Sequence, residues 1–284
     1  TLGTSGDTVV VPSGVSLAPG GGLTLTGALA VDGGTIKLDG AFPTGTQNTA
    51  LGQCALASGS LSGGYNTAIG DTALKTNTSG AANVAVGRDA LELNTTGCQN
   101  TALGQNTMYT NVSGDFNTAV GREALYSNTT ADNNTAVGLC ALKANTTAPD
   151  NVAVGFEAML TNTTGCRNVA VGKRALKLNT EGCDNVAIGL NTLGANTTGD
   201  FNTGIGFASL KANTTADNNS ALGYCTLSAN TTGSFNTGIG LCSIYTNTTG
   251  GCNSALGNDS LRANTTGSEN TTVGSASMLL NTTG

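Results

Sequence analysis

Histidine and tryptophan are both absent from the 284 residues, and aromatics make up only 4% of them. The missing His removes the commonest general base and the usual activator of a Ser or Cys nucleophile. Carboxylates such as Glu123 and Asp259 stand alone beside basic or polar residues and read as solvated charge. No catalytic residue is assigned, and a non-enzymatic chain is expected. Charge is scarce too, at 10% of residues with a net of −6. That is too little for a typical disordered chain, and mild acidity offers nucleic acid no basic surface. No apolar run approaches the ~18 residues of a helical membrane span, and no basic-then-apolar leader opens the chain. Membrane insertion is therefore not expected. The chain begins at Thr1 rather than Met and stops at Gly284 inside a repeat, as a processed or trimmed product would. Phosphate and metal motifs are missing as well. No Lys follows the repeated Gly at Walker spacing, no G-x-G-x-x-G opens a helix and no C-x-x-C occurs. The scattered acidic residues form no calcium-type G-G-x-G-x-D repeat. No cofactor and no metal site is expected.

Glycine is abundant, with 42 residues, and so is one pentapeptide. Asn48-Thr49-Ala50-Leu51-Gly52 returns 18 residues on at Asn66. It then returns every 17 residues, at Asn83, Asn100, Asn117, Asn134, Asn151, Asn168, Asn185, Asn202, Asn219, Asn236, Asn253 and Asn270. A fixed period of this length marks a stacked array. Two regions follow: residues 48–284 as a fourteen-copy repeat shaft, and residues 1–47 as a non-repeat β segment. In the latter, Thr8-Val9-Val10-Val11 and the alternation through Leu23, Leu25, Leu29, Val31, Ile36 and Leu38 read as short strands between Gly turns. The segment is expected either to cap the open end of the stack or to pair with another chain.

We number each coil from its Asn as position 1. Position 4 is always Val, Ile or Leu, position 5 always Gly, and position 9 always Leu, Met or Ile. Charges fall only at positions 6, 7, 10, 14, 16 and 17. This pattern predicts that positions 4 and 9 face inward, and that two strands form per coil, over positions 1–4 and about 7–11. Leu125 is thus expected inside and Glu123 outside. A short helical turn over positions 6–10 is the alternative; a longer helix is excluded by segment length and by Asn, Thr and Gly content. The fold class is all-β, a repetitive β-solenoid or β-roll about 65 Å long at ~4.8 Å per coil. Each coil offers only two large aliphatic side chains plus Ala to oppose the entropy of ordering it. Several chains sharing an axis are expected on that ground.

The repeat, read cleanly in NTAVGREALYSNTTADN from Asn117 to Asn133, resembles the repeats of bacteriophage tail-fibre proteins. In many of those, such repeats precede an intramolecular-chaperone endopeptidase domain, which this sequence does not contain. The opening TLGTSGDTVVVPSGVSLAPGG is similar to segments of phage tail fibres. The N-x-A-[VI]-G core is also similar to the shorter head repeats of trimeric autotransporter adhesins. The resemblance implies an elongated homotrimeric fibre located on a virion, serving host attachment through a host-surface glycan or protein. The alternative is an extracellular or cell-surface microbial filament or adhesin. In that case residues 1–47 would link subunits by strand addition.

Three residue sets are candidates for chemistry. The Asn at position 12 either stacks as a hydrogen-bonded ladder or carries N-linked sugar. The sequon occurs at Asn77, Asn94, Asn111, Asn128, Asn145, Asn162, Asn196, Asn213, Asn230, Asn247, Asn264 and Asn281, and is broken at Asn179 by Glu181. Thr at positions 13 and 14 are adjacent and would point to opposite sides, unlike the alternate Thr rows of an ice-binding sheet. Among the eight Cys, Cys166 with Cys183 and Cys225 with Cys242 share a position in successive coils. Stacking would bring their Cα atoms within disulfide range; unpaired Cys filling small sites is the other reading. Cys54, Cys98, Cys140 and Cys252 have no evident partner.

Overall fold

The structure, a computed structural model, describes residues 47–58 and 60–283. The N-terminal segment expected over residues 1–47 lies outside them except for Gln47. The described chain is a β-solenoid. Each coil contributes one three-residue strand, from β1 (Thr49–Leu51) to β14 (Thr271–Val273). The fourteen strands form one parallel sheet in sequence order. Register is strict: Thr118 pairs with Thr135, Ala119 with Ala136 and Val120 with Val137. The 18-residue first step changes nothing, since Thr49 still pairs with Thr67.

Hydrogen bonding between coils does not stop where the strand stops. In the coil opened by Asn117, the Thr118 amide donates to Asn134 O at 2.8 Å and Gly121 N to Leu103 O at 2.8 Å. Farther round, Leu125 N donates to Ala141 O at 3.0 Å, Thr129 N to Thr146 O at 2.9 Å and Asn133 N to Asp115 O at 3.1 Å. Backbone donors round the coil are thus satisfied mostly by the coil above or below, and at Ala124 and Asn128 by Gly121 O and Leu125 O of the same coil, as buried amides require.

Gly at position 5 ends the strand for two physical reasons. Its φ lies between +123° and +141°, a region closed to other residues. A Cβ on Gly121 would also meet the Gly138 carbonyl oxygen at 2.6 Å.

Two expectations are corrected here. Positions 7–11 form no strand, because positions 7 and 9 take left-handed backbone, Glu123 at φ 57° and Leu125 at 51°, as position 17 also does before the next coil, with Asn133 at 59°. Left-handed residues curl the chain where an extended strand would run straight on. The segment is a tight turn, and no helix forms there either.

The second correction concerns position 4. It faces outward: Leu222 and Leu256 are each 48% exposed. Position 3 faces inward instead, with Ala119, Ala136 and Ala153 fully buried. The coil is too thin for a larger residue beneath the strand. A Cβ placed on Gly204, also at position 3, would lie 2.7 Å from Thr192 Cγ2 and 3.6 Å from Leu193 Cδ1. Position 9 holds as expected: Leu125, Leu142, Met159 and Leu176 are fully buried. The core is therefore a column of position-9 side chains lying against a wall of Ala.

Candidate functional site

The side chains repeat with the coil, so the surface is built of rows. The most deeply placed polar rows are Asn. At position 1, Asn117 Oδ1 accepts from the Asn134 amide at 2.9 Å, and Asn117 Nδ2 donates to Ala131 O at 2.8 Å. At position 12, Asn128 Nδ2 donates to Asn111 Oδ1 at 2.7 Å and to Ala131 O at 3.0 Å. The same two bonds recur at Asn94, Asn111, Asn145, Asn162, Asn196, Asn213, Asn230, Asn247 and Asn264. Asn77 begins the row, donating to Gly80 O at 2.8 Å. All eleven of these sequon asparagines from Asn77 to Asn264 are fully buried. Nδ2, the atom that would carry a sugar, is already spent inside the coil. Asn281 in the last coil is half-buried and lacks that ladder bond.

Asn179 separates the two readings of position 12. It has no sequon, yet its Nδ2 donates to Asn162 Oδ1 at 2.8 Å and to Gly182 O at 2.9 Å. The coil geometry needs Asn there with or without the Thr two residues on. The Thr row at position 13 is also structural, with Thr129 Oγ1 donating to Thr146 O at 3.0 Å. Thr130 at position 14 points to solvent. The alternate outward positions are instead 2 and 4, and position 4 is never Thr. Paired Thr rows on one strand face do not occur.

All eight cysteines are free thiols. Cys166 Sγ and Cys183 Sγ approach to 2.9 Å, and Cys183 Sγ accepts from the Cys166 amide at 3.0 Å. Burial, followed by the hydrogen bond to Cys183, pushes the Cys166 thiol up to about 11. By accepting from the Cys166 amide, Cys183 joins a row in which the position-16 side chain accepts a hydrogen bond from the backbone amide of the coil before. Cys98 N donates to Asp115 Oδ1 at 2.7 Å, Asp115 N to Asp132 Oδ1 at 2.7 Å and Asp217 N to Ser234 Oγ at 3.0 Å. Position 16 thus favours a short acceptor side chain, a role the sequence reading missed; the recurrence of Asp, Ser and Cys there, broken at Ala81, Pro149 and Gly251, was the available signal. Cys225 and Cys242 occupy position 7 of adjacent coils, and burial raises the Cys242 thiol, helped by Cys225.

The charged rows pair from coil to coil. Glu123 meets Lys143 Nζ at 2.8 Å and Arg122 at 2.9 Å. The hydrogen bond from Lys143 chiefly holds its carboxyl below the ordinary range. Glu157 takes Lys177 and Arg174, each at 2.9 Å. Gly194 opens a shallow depression between Lys177 and Lys211, but Arg174 and Lys177 on its wall are turned to Glu157, which leaves little positive field for a ligand. Among the described residues no cluster of three His, Cys, Asp or Glu could hold a metal. Nor is any helix there long and apolar enough to cross a membrane.

The feature that stands out is apolar. Position 4 lays Val, Ile or Leu along the outer sheet face in every coil. Beside it, position 6 is apolar in six of the seven coils from the sixth to the twelfth, with Leu139, Phe156, Leu190, Phe207, Tyr224 and Leu241 all exposed; Lys173 interrupts the row, and Asn258 and Ser275 end it. Phe207 and Tyr224 stack there with centroids 5.0 Å apart. Comparison with protein-family models, curated proteins and solved structures finds no match for this chain.

Proposed function

We propose that residues 48–284 are the shaft of a structural fibre, of the kind that carries a phage tail fibre to its host. The observation that carries this reading is the unbroken in-register ladder of fourteen three-residue strands. A solenoid of that kind gains stiffness coil by coil, and among the described residues nothing interrupts it with a lid, a deep cleft or a cluster of reactive groups. The reading is of a non-catalytic protein on a virion. Its partners are other copies of itself, in a homotrimer, and a glycan or protein on the host surface. The buried Nδ2 atoms of the position-12 row support a bare shaft over a sugar-coated filament.

Imaging the native particle at side-chain resolution tests this reading. A rod of three chains joined to a virion, without extra density at Asn128 and Asn145, is the expected result. A long cellular polymer, or density extending from those asparagines, would overturn it.

A further inference from the structure

We propose that the outward face of the parallel sheet, built from positions 2 and 4, is the surface through which copies of this chain associate side by side. This deepens the fibre reading by naming its contact face, and it fails separately. A monomeric rod would overturn both the contact and the homotrimer, whereas an assembly that survives charges placed on this face would overturn the contact alone and leave the fibre reading standing.

The argument starts from a mismatch between residue type and place. Outward strand positions on a solvated sheet are ordinarily polar. Here all fourteen position-4 residues are Val, Ile or Leu, and none is buried. Leu51 is 59% exposed, and Ile188 and Ile239 are each 39% exposed. Position 2 adds only Thr, Val and Ser. No charge falls at either position, so the strand face carries no fixed charge to repel a second copy. An apolar strip of this length lies at the upper end of what a soluble monomer ordinarily leaves open, where such patches mark interaction sites.

Area and period identify the occupant. Three residues of strand span about 10 Å, and thirteen steps of ~4.8 Å span about 62 Å. The face is therefore about 600 Å² on each copy and about 1,200 Å² over a pair, the lower bound of stable interfaces. Over the sixth to twelfth coils, position 6 adds Leu139, Phe156, Leu190, Phe207, Tyr224 and Leu241 beside the strand and widens it, with one break at Lys173. The knobs of position 4 recur once per coil. Only a partner with the same repeat can match them along the whole strip, and a second copy has that repeat. A partner without it would fit over a few coils and leave the rest exposed.

Sedimentation of the full chain over a range of concentrations tests the face. The unaltered chain is expected as an assembly of two or three copies. Val137→Glu, Val154→Glu and Val171→Glu together place charges outside the core but inside the contact. They are expected to weaken association by about 100-fold or more, since buried like charges oppose each other by several kcal/mol. Thr130→Glu, Thr147→Glu and Thr164→Glu, on the exposed position-14 row, are expected to leave the assembly intact. If the first triple loses its β circular dichroism, Val137→Thr, Val154→Thr and Val171→Thr keep the β-branch and remove only apolar contact. That variant is expected to associate at least about 10-fold more weakly. A monomeric unaltered chain overturns the proposal, as does a position-4 triple that folds and assembles normally. Equal loss in the position-14 triple also overturns it.

Discussion

Asn179 and Asn162 lie one coil apart and make the same bonds, yet only Asn162 sits in a sequon. Replacing either by Ala leaves the amide oxygen one coil before without its donor, and takes from the side-chain amide one coil after its Oδ1 acceptor, in a fully buried site. Each loss is expected to cost about 1–3 kcal/mol. Thermal unfolding of N179A and N162A should therefore show equal drops; a drop at Asn162 alone would return the row to glycosylation. The position-16 cysteines lend themselves to a redox test. With Cys166 and Cys183 sulfurs 2.9 Å apart, a small-molecule disulfide such as oxidised glutathione should accept their two hydrogens by exchange and leave a bond between coils. Closing a loop of this length is expected to stabilise by about 3 kcal/mol. Intact mass should fall by two hydrogens and the melting temperature should rise, and neither change should survive in C183S.

At the scale of the element, the strand and the turn divide the work of the coil. The strand supplies parallel pairing with both neighbours, whereas the turn carries the core side chain. Leu125 is fully buried in that turn. Leu125→Ala should cost about 2–5 kcal/mol, and Leu125→Asp more, because it buries an unpaired charge. Glu123→Ala, two residues earlier, should be nearly silent at neutral pH. Exposed pairs contribute little, and Ala already occupies position 7 at Ala208 and Ala276 with φ of 52° and 54°. Acid is expected to affect Glu123 in a defined direction. Its folded-state pKa is lowered, first by Lys143. The stabilisation is therefore present above the ordinary carboxylate range and is lost as pH falls through the lowered value. The lowered values of Glu157 and Asp184, set by Lys177 and Arg167 respectively, add in the same sense. Melting temperature should decline on acidification below about pH 4, with a smaller decline in E123A. A flat profile would remove these pairs from the account.

For the array as a whole, each coil touches only the coils above and below, so stability runs along one dimension. The last coil has a neighbour on one side only. Its Leu280 is 83% exposed, and both Asn264 Oδ1 and Asn281 Nδ2 lack partners where the next ladder rung would be. Amide exchange is expected to be fastest over residues 275–283 and slowest through the central coils near Leu142 and Met159. Uniform protection from end to end would mean that the coils open as one unit, against the one-dimensional picture.

The repeat determined a great deal by itself. A 17-residue period with Gly at position 5, an aliphatic residue at position 9 and Asn at positions 1 and 12 was enough to read a stacked all-β coil, its buried column and its Asn ladder. These are local statements: a Gly that no other backbone can replace, a large apolar residue among small polar ones, an amide that can both donate and accept. Which side of the strand faces in was not local. Period two gives only a parity, and hydrophobicity favours Val120 over Ala119 for the inside. The tertiary structure decided for Ala119, because the position-9 column already fills the thin coil and leaves room for one methyl beneath the strand. The left-handed backbone at Glu123, Leu125 and Asn133 was equally illegible. Asn tolerates that conformation but nothing in Glu or Leu asks for it; it comes from closing a 17-residue turn whose amides bond largely to the coils on either side. Those two outcomes turned the position-4 residues outward, and the surface on which the proposed association rests follows from them.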